Sequence, residues 1–89
     1  MKAIVTVIGK DHVGIIASVC ALLSGYDVNI LNISQSILQE YFVMVMLVDL
    51  SNCKSSIVEL SEKLDQSGQE RGLSIRIQRE DIFNAMHRI

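Results

Sequence analysis

The stretch from Gly9 to Ile15 (Gly-Lys-Asp-His-Val-Gly-Ile) contains the residue types best suited to bind a small charged group. A strand pattern precedes the stretch and a helical pattern follows it, so it joins the carboxyl end of a strand to the amino end of a helix. The first turn of a helix has unpaired backbone N–H groups and a partial positive charge, which suit a carboxylate or a phosphate. Most junctions of this kind bind nothing, so an anion site and a plain connection both remain open.

Single residues of this junction have structural as well as chemical interpretations. Asp11 is expected to cap the helix, and contact with an ammonium group would be an added role. Gly14 is predicted to lie in the first helical turn, where glycine costs about 1 kcal/mol relative to alanine, which suggests that something approaches the backbone closely. Lys10 either attracts an anion or is solvated. A metal site built from Asp11, His12 and His87 is not favoured, because the sequence does not bring the three together.

Composition limits the classes of partner. The 89-residue chain is expected to form one domain, with 49% hydrophobic and 20% charged residues and a net charge of −2. Without a run of either charge, we expect neither a nucleic-acid nor a membrane partner. The two cysteines form no paired motif, so we expect no disulfide, metal or cofactor and a cytoplasmic location. We also expect no signal segment, and the sequence has no apolar run of about 20 residues.

Hydrophobic periodicity predicts four strands and two helices, followed by an amphipathic tail. The strands are predicted over 2–8, 28–38, 41–50 and 73–79. The first helix is predicted over 15–23, with Gly25 as its C-cap. The second is predicted to begin at Ser51-Asn52, or one turn later at a capping box of Ser56 and Glu59, and to end at Gly72. The order β-α-β-β-α-β is typical of an α+β, ferredoxin-like sandwich: a four-stranded antiparallel sheet with both helices on one face.

One face of this sheet would remain uncovered by helices. The strand over 41–50 is apolar on both faces, whereas the strand over 73–79 alternates between apolar and polar side chains. The uncovered face must therefore be covered by the tail, by a second subunit, or by both. We expect a homodimer or higher homo-oligomer in which Ile82, Phe83 and Met86 of the tail are buried.

Two motifs and the order of elements make the chain resemble an ACT domain, a small ferredoxin-like module of metabolic regulation. The motifs are Asp11-x-x-Gly14-Ile15 at the first helix and Asp27-Val28-Asn29-Ile30 at the second strand. The resemblance assigns 1–80 to the domain and 81–89 to the tail, which is similar to the ending of stand-alone bacterial members. The chain is also similar to the regulatory domains of the glycine-cleavage repressor and of formyltetrahydrofolate deformylase.

The resemblance implies a small amino acid as ligand, of the glycine or serine class, bound across a dimer interface. It implies that the loop and helix N–H groups take the carboxylate, and that acidic or amide side chains take the ammonium group. Many members have a basic residue and a proline between the Asp and the Gly, where this chain has His12 and Val13. The matching positions are, on one wall, Asp11, His12, Val13, Gly14 and Ile15, and on the other wall, Asn29, Ile30 and Leu31.

The leading hypothesis is therefore a regulatory module that binds an amino acid and communicates with a protein partner. The alternative is an assembly domain that takes no ligand and uses the uncovered sheet face to bind another protein. An enzyme is not expected. Acyl-phosphate hydrolysis on such a sandwich needs an arginine in the loop after the first strand, and no nucleophile, histidine and acid have suitable spacing. RNA binding would need exposed aromatic residues and a basic surface.

Overall fold

The computed structural model describes residues 1–10 and 14–86 and contains one four-stranded sheet and three helices. The elements in chain order are β1 (Lys2–Gly9), α1 (Ile15–Gly25), β2 (Asn29–Leu38), β3 (Tyr41–Asp49), α2 (Ile57–Arg71), β4 (Ser74–Arg79) and α3 (Glu80–Met86). The sheet order is β2-β3-β1-β4, and each neighbouring pair is antiparallel. The predicted ferredoxin-like sandwich is thus confirmed.

The core lies between α1, α2 and one face of the sheet. Alternate residues of the two central strands are buried there, as the period of two along a strand requires. The helices contribute apolar stripes at helical spacing to the same core. Its fully or almost fully buried side chains include Val5, Val7, Val19, Leu23, Phe42, Met44, Met46, Val48, Leu60 and Leu64. The other sheet face, called the open face below, carries the intervening residues.

The end of α1 differs from the prediction. Gly25 is the last residue of the helix and not its C-cap, which is Tyr26 at a φ of −100°. The left-handed residue that turns the chain is Asp27, at a φ of 59°. An aspartate tolerates this conformation better than most residues, so the turn does not need the glycine. The N–H groups of Tyr26 and Asp27 pair with carbonyl oxygens of the last helical turn.

Both ends of α2 follow local sequence signals. Ser56 is the N-cap, and its hydroxyl oxygen accepts a hydrogen bond of 3.1 Å from the Glu59 N–H, so the capping-box alternative is confirmed. Ser51 and Asn52 form a turn before the helix instead. Gly72 ends α2 as a C-cap with a φ of 71°, a conformation that glycine adopts at no steric cost.

The helix α3 contacts β1 and β4. Its Ile82 lines a groove with Ile57 and Val58 of α2, so this side chain points toward the helical layer and not over the open face. Ile82 is 46% exposed in the single chain. The side chains of Phe83 and Met86 lie outside the described residues, and the burial of the tail in an oligomer stays a prediction.

Two helical glycines should respond in opposite ways to replacement by alanine. Gly25→Ala adds a methyl group that meets no atom within 4 Å, so we expect it to be stabilising by up to about 1 kcal/mol. Gly68→Ala places its methyl group 2.7 Å from the Leu73 carbonyl oxygen, so we expect a loss of about 1–3 kcal/mol. Urea unfolding measures both. Equal effects of the two substitutions would contradict the close packing of α2 on the start of β4.

Candidate functional site

The β1–α1 loop is described on both sides of a gap. Lys10 follows β1, and its ammonium group lies 5.8 Å from the centre of the Tyr41 ring, a cation–π distance. Asp11, His12 and Val13 lie outside the described residues, so the carboxylate, the imidazole and the apolar side chain predicted to line a ligand site keep only their sequence-based interpretation.

Gly14 differs from its predicted position. It is the N-cap of α1, with a φ of 76°, and does not belong to the first helical turn. A Cβ atom at this position would meet no described atom of the chain within 4 Å, so the left-handed backbone by itself accounts for the glycine. Gly14 occupies the N-cap position, and the prediction that Asp11 caps the helix falls on a residue outside the described ranges.

Ile15 begins α1, and its side chain is only 4% exposed in the core. This residue can therefore offer a ligand its backbone N–H group but not its side chain. The first N–H groups of a helix have no partner within the helix, and they suit an anionic group such as a carboxylate. Among the described residues of this wall, the groups that can bind a ligand are thus backbone N–H groups.

A groove of about 430 Å³ lies beside this loop, between the start of α1 and the end of β2. Its lining residues are Ile16, Gln35, Ser36, Ile37 and Phe42. The pairing of the strands explains its position: Gly9 lies opposite Phe42 on β3, and Phe42 lies opposite Ile37 on β2. These residues were not among the sequence-based predictions. The tight β2–β3 hairpin fixes the register, so the pairing of Ile37 with Phe42 could have been inferred from it.

The second predicted wall lies at the other end of the sheet. Asn29 is opposite Asp49 on β3, and Asp49 is opposite Lys2 at the start of β1. The eight residues of β1 separate this end from Gly9, a distance of about 23–26 Å at about 3.3 Å per residue. Within one chain, the structure therefore does not bring Asn29, Ile30 and Leu31 near the loop.

The strand β2 is irregular at this second wall. The register shifts between Ile30 and Asn32, so Leu31 forms a bulge and its side chain is 44% exposed. Ile30 is half-buried against the core, and Asn29 is exposed. Bulges re-aim side chains at sheet edges. Of the three residues, Asn29 and Leu31 are therefore the ones that can reach a ligand or another chain with their side chains.

Asp49 places a carboxylate at this end of the sheet. Its carboxylate accepts hydrogen bonds of 2.6 Å from the Ser51 hydroxyl and 3.0 Å from the Ser51 N–H, and it lies 3.8 Å from the amino terminus. These hydrogen bonds, aided by the charges of the amino terminus and Lys2, hold the pKa of Asp49 below its ordinary value of 3.8. The carboxylate stays ionised beside Asn29 at neutral pH.

A family model described as ACT domain matches residues 2–78, which is most of the chain. The chain belongs to the ACT domain family. A UPF0237 protein of Clostridium acetobutylicum is 55% identical over 89 residues, with full coverage of both chains. The solved structure of an ACT domain protein from Streptococcus pneumoniae matches with 41% identity and a TM-score of 0.84, over 93% of each chain.

Two larger proteins contain a similar fold. A formyltetrahydrofolate deformylase from Pseudomonas syringae matches with a TM-score of 0.79 and 20% identity, over 88% of this ACT domain and 27% of the enzyme. A putative glycine cleavage system transcriptional repressor matches with a TM-score of 0.70 and 22% identity, over 86% of this chain and 44% of the repressor. Both likenesses show the fold, and the resemblance stated from sequence is confirmed.

Potential metal ligands do not cluster in the described part of this ACT domain. No group of three or more His, Cys, Asp or Glu residues there is arranged to hold a metal ion. Cys20 and Cys53 are half-buried free thiols, and the Cys53 thiol donates to the Ser55 carbonyl oxygen at 3.5 Å. Within the described ranges, no helix is long and apolar enough to cross a membrane.

Removing the Ser51 hydroxyl should change the titration of Asp49. We expect Ser51→Ala to raise the pKa of Asp49 toward 3.8, because the substitution removes the hydrogen bond that lowers this pKa most. A carboxyl group whose pKa is lower in the folded state stabilises the fold while the group is ionised. The wild type therefore loses this stabilisation only as pH falls through the lowered pKa. Carboxyl-carbon NMR measures both pKa values. Ser24→Ala, on exposed α1 surface, is the control, and an unchanged pKa in Ser51→Ala would contradict the assignment.

Proposed function

We propose that this ACT domain is a non-enzymatic, cytoplasmic regulatory module that works as a homodimer. Each dimer would bind a small amino acid, of the glycine or serine class, at the β1–α1 loop and the subunit interface. Membership of the family supports the regulatory role. The free thiols support a reducing compartment.

The observation that carries this proposal is the separation of the two predicted walls along the edge strand β2. The loop wall lies beside the end of β2, and the Asn29–Leu31 wall is its beginning. If the β2 strands of two copies pair antiparallel, the start of one strand lies beside the end of the other. Pairing across a two-fold axis would therefore bring the Asn29 wall of the partner next to the loop, twice per dimer.

The edge of β2 is suited to such pairing. This strand has ten residues and pairs with β3 on one side only, so its outer backbone groups form a template for another strand. Several apolar side chains along it are well exposed, among them Leu31 at 44%, Ile33 at 39% and Ile37 at 64%. A partner strand would cover them and would also close the groove beside α1.

The assembled site would supply both charges that an amino acid needs. The N–H groups at the start of α1 would take the carboxylate. Asp11 of the loop, together with Asn29 of the partner subunit, would take the ammonium group, and Gly14 would keep the backbone open to the ligand. The choice of glycine or serine rests on the resemblance to proteins of glycine cleavage and one-carbon metabolism.

A thermal-shift screen against the twenty amino acids at millimolar concentration tests this function. A ligand at about 100 times its Kd adds roughly 2.7 kcal/mol, which for a domain of this size raises Tm by about 10 °C or more. We expect glycine or serine to give the selective rise. Asn29→Ala and Asp11→Ala should abolish it, and Asn84→Ala, an exposed position on α3, should not.

A screen without any stabilising amino acid would overturn ligand binding and favour the alternative, a domain that only assembles with another protein. The open face and the exposed apolar residues of β2 would then be the surfaces to search for that partner. A selective rise that survives Asn29→Ala would retain amino-acid binding but reject the second wall.

The proposed β2 dimer also predicts how a substitution changes the mass of the protein in solution. Ile37→Lys places a charge on the edge of β2, at a side chain that is 64% exposed and so tolerates the change in the single chain. We expect this variant to lose pairing through β2 and, with it, stabilisation by the amino acid. Light scattering after size exclusion measures the mass. Val58→Lys on α2, where the wild-type side chain is 65% exposed, is the matched control and should behave as wild type.

A further inference from the structure

The open face of the sheet has an apolar centre that its edge strands lack. On β4 the open-face positions are polar, and on β2 they are mostly polar, as expected for a solvated face. The central strands β1 and β3 instead carry Ile4, Thr6, Ile8, Val43, Val45 and Leu47 on this face. Ile8 is 42% exposed and Val45 is 36% exposed, and the other four are partly exposed.

The strand register orders these side chains into three rows across the sheet. Each row is polar at both ends, and its two middle positions are apolar except for Thr6. The rows are Asn32–Leu47–Ile4–Gln78, Ser34–Val45–Thr6–Arg76 and Ser36–Val43–Ile8–Ser74. An apolar centre with a polar rim is the usual arrangement of a protein–protein interface.

We propose that the open face packs against the same face of a second copy of this chain, so that two dimers paired through β2 stack into a tetramer. This inference rests on the proposed β2 dimer. The face is self-complementary because a two-fold axis places the apolar positions of β1 and β3 on apolar positions of the partner and the polar positions of β2 and β4 on polar positions. A second copy of the chain therefore presents a surface that matches this face.

The area supports a stable contact. Four strands spaced about 4.8 Å apart, with a rise of about 3.3 Å per residue, give each chain a planar face of about 500 Å². A β2 dimer has two such faces in one continuous sheet, so stacking two dimers covers at least about 2,000 Å² in total. Stable specific interfaces bury about 1,200–2,000 Å².

Of the two stacking axes compared below, one gives a closed tetramer of two stacked dimers. The axis of the β2 dimer is perpendicular to the sheet. A stacking axis in the plane and perpendicular to the strands intersects it, and the result is a closed tetramer of D2 symmetry. An axis parallel to the strands and centred between β1 and β3 does not intersect it and produces an open-ended assembly. The closed form places β1 over β1, so Arg76 lies near the partner's Arg76 at the rim.

Sedimentation equilibrium of four proteins tests the inference: wild type, Val45→Lys, Ile37→Lys and the control Val58→Lys. We expect the wild type and the control to form tetramers. Val45→Lys should raise the tetramer dissociation constant by at least about 100-fold, because an unpaired charge would be buried in the stacked face. It should remain a dimer that still responds to the amino acid. Ile8→Lys provides a second central variant if Val45→Lys does not fold by circular dichroism.

Every outcome bears on one of the two interfaces. A folded Val45→Lys protein with the wild-type mass, or a wild type that stays dimeric and becomes monomeric only in Ile37→Lys, would overturn the stacked face and leave the β2 dimer in place. A wild-type dimer that Val45→Lys dissociates and Ile37→Lys does not would support the stacked face and overturn the β2 dimer. A monomeric wild type would reject both.

The orientation has its own test. In the closed form, Arg76→Ser removes a like-charge contact between subunits, so the variant should associate several-fold more tightly at low salt. The difference between Arg76→Ser and wild type should shrink as salt is added. A variant that associates equally or more weakly than wild type at low salt would overturn the orientation with β1 over β1.

Discussion

The central place of β1 in the sheet determines the rest of the structure. This strand pairs with β3 on one side and with β4 on the other, so both edges of its backbone are satisfied within the chain. Its alternate residues form the middle of the core. The loop that follows β1 is therefore fixed at one end of the sheet, and β2 is left as an edge whose outer backbone groups are available.

Much of the fold could be predicted from sequence because its signals are local and repeated. The clean alternation over β4, the apolar runs of β1 and β3 and the Ser56–Glu59 capping box each determine their own element. The order of these elements then leaves the ferredoxin-like sandwich as the natural arrangement. The predicted C-cap of α1 was wrong because Asp27, and not a glycine, adopts the left-handed conformation that turns the chain there.

The candidate site could be predicted less completely, for reasons that lie outside local patterns. Gly14 was recognised as unusual, but a sequence does not distinguish a left-handed N-cap from a close approach to a ligand. The groove at Ile16 and Ile37 depends on the pairing of distant strands. The separation of Asn29 from the loop also depends on this register, and it becomes meaningful only when a second subunit is considered.

The sheet order also constrains how the chain folds during synthesis. Its central strand β1 is synthesised before the other three strands, yet one of its two partners, β4, is synthesised after them. Until that segment is released, the backbone groups along one edge of β1 lack their β4 partners, and the side of α2 that packs on β4 stays uncovered. Contacts so distant along the chain close late and slowly. Folding of this domain can therefore finish only after β4 has been synthesised, and until then the nascent chain exposes the other strands of the sheet.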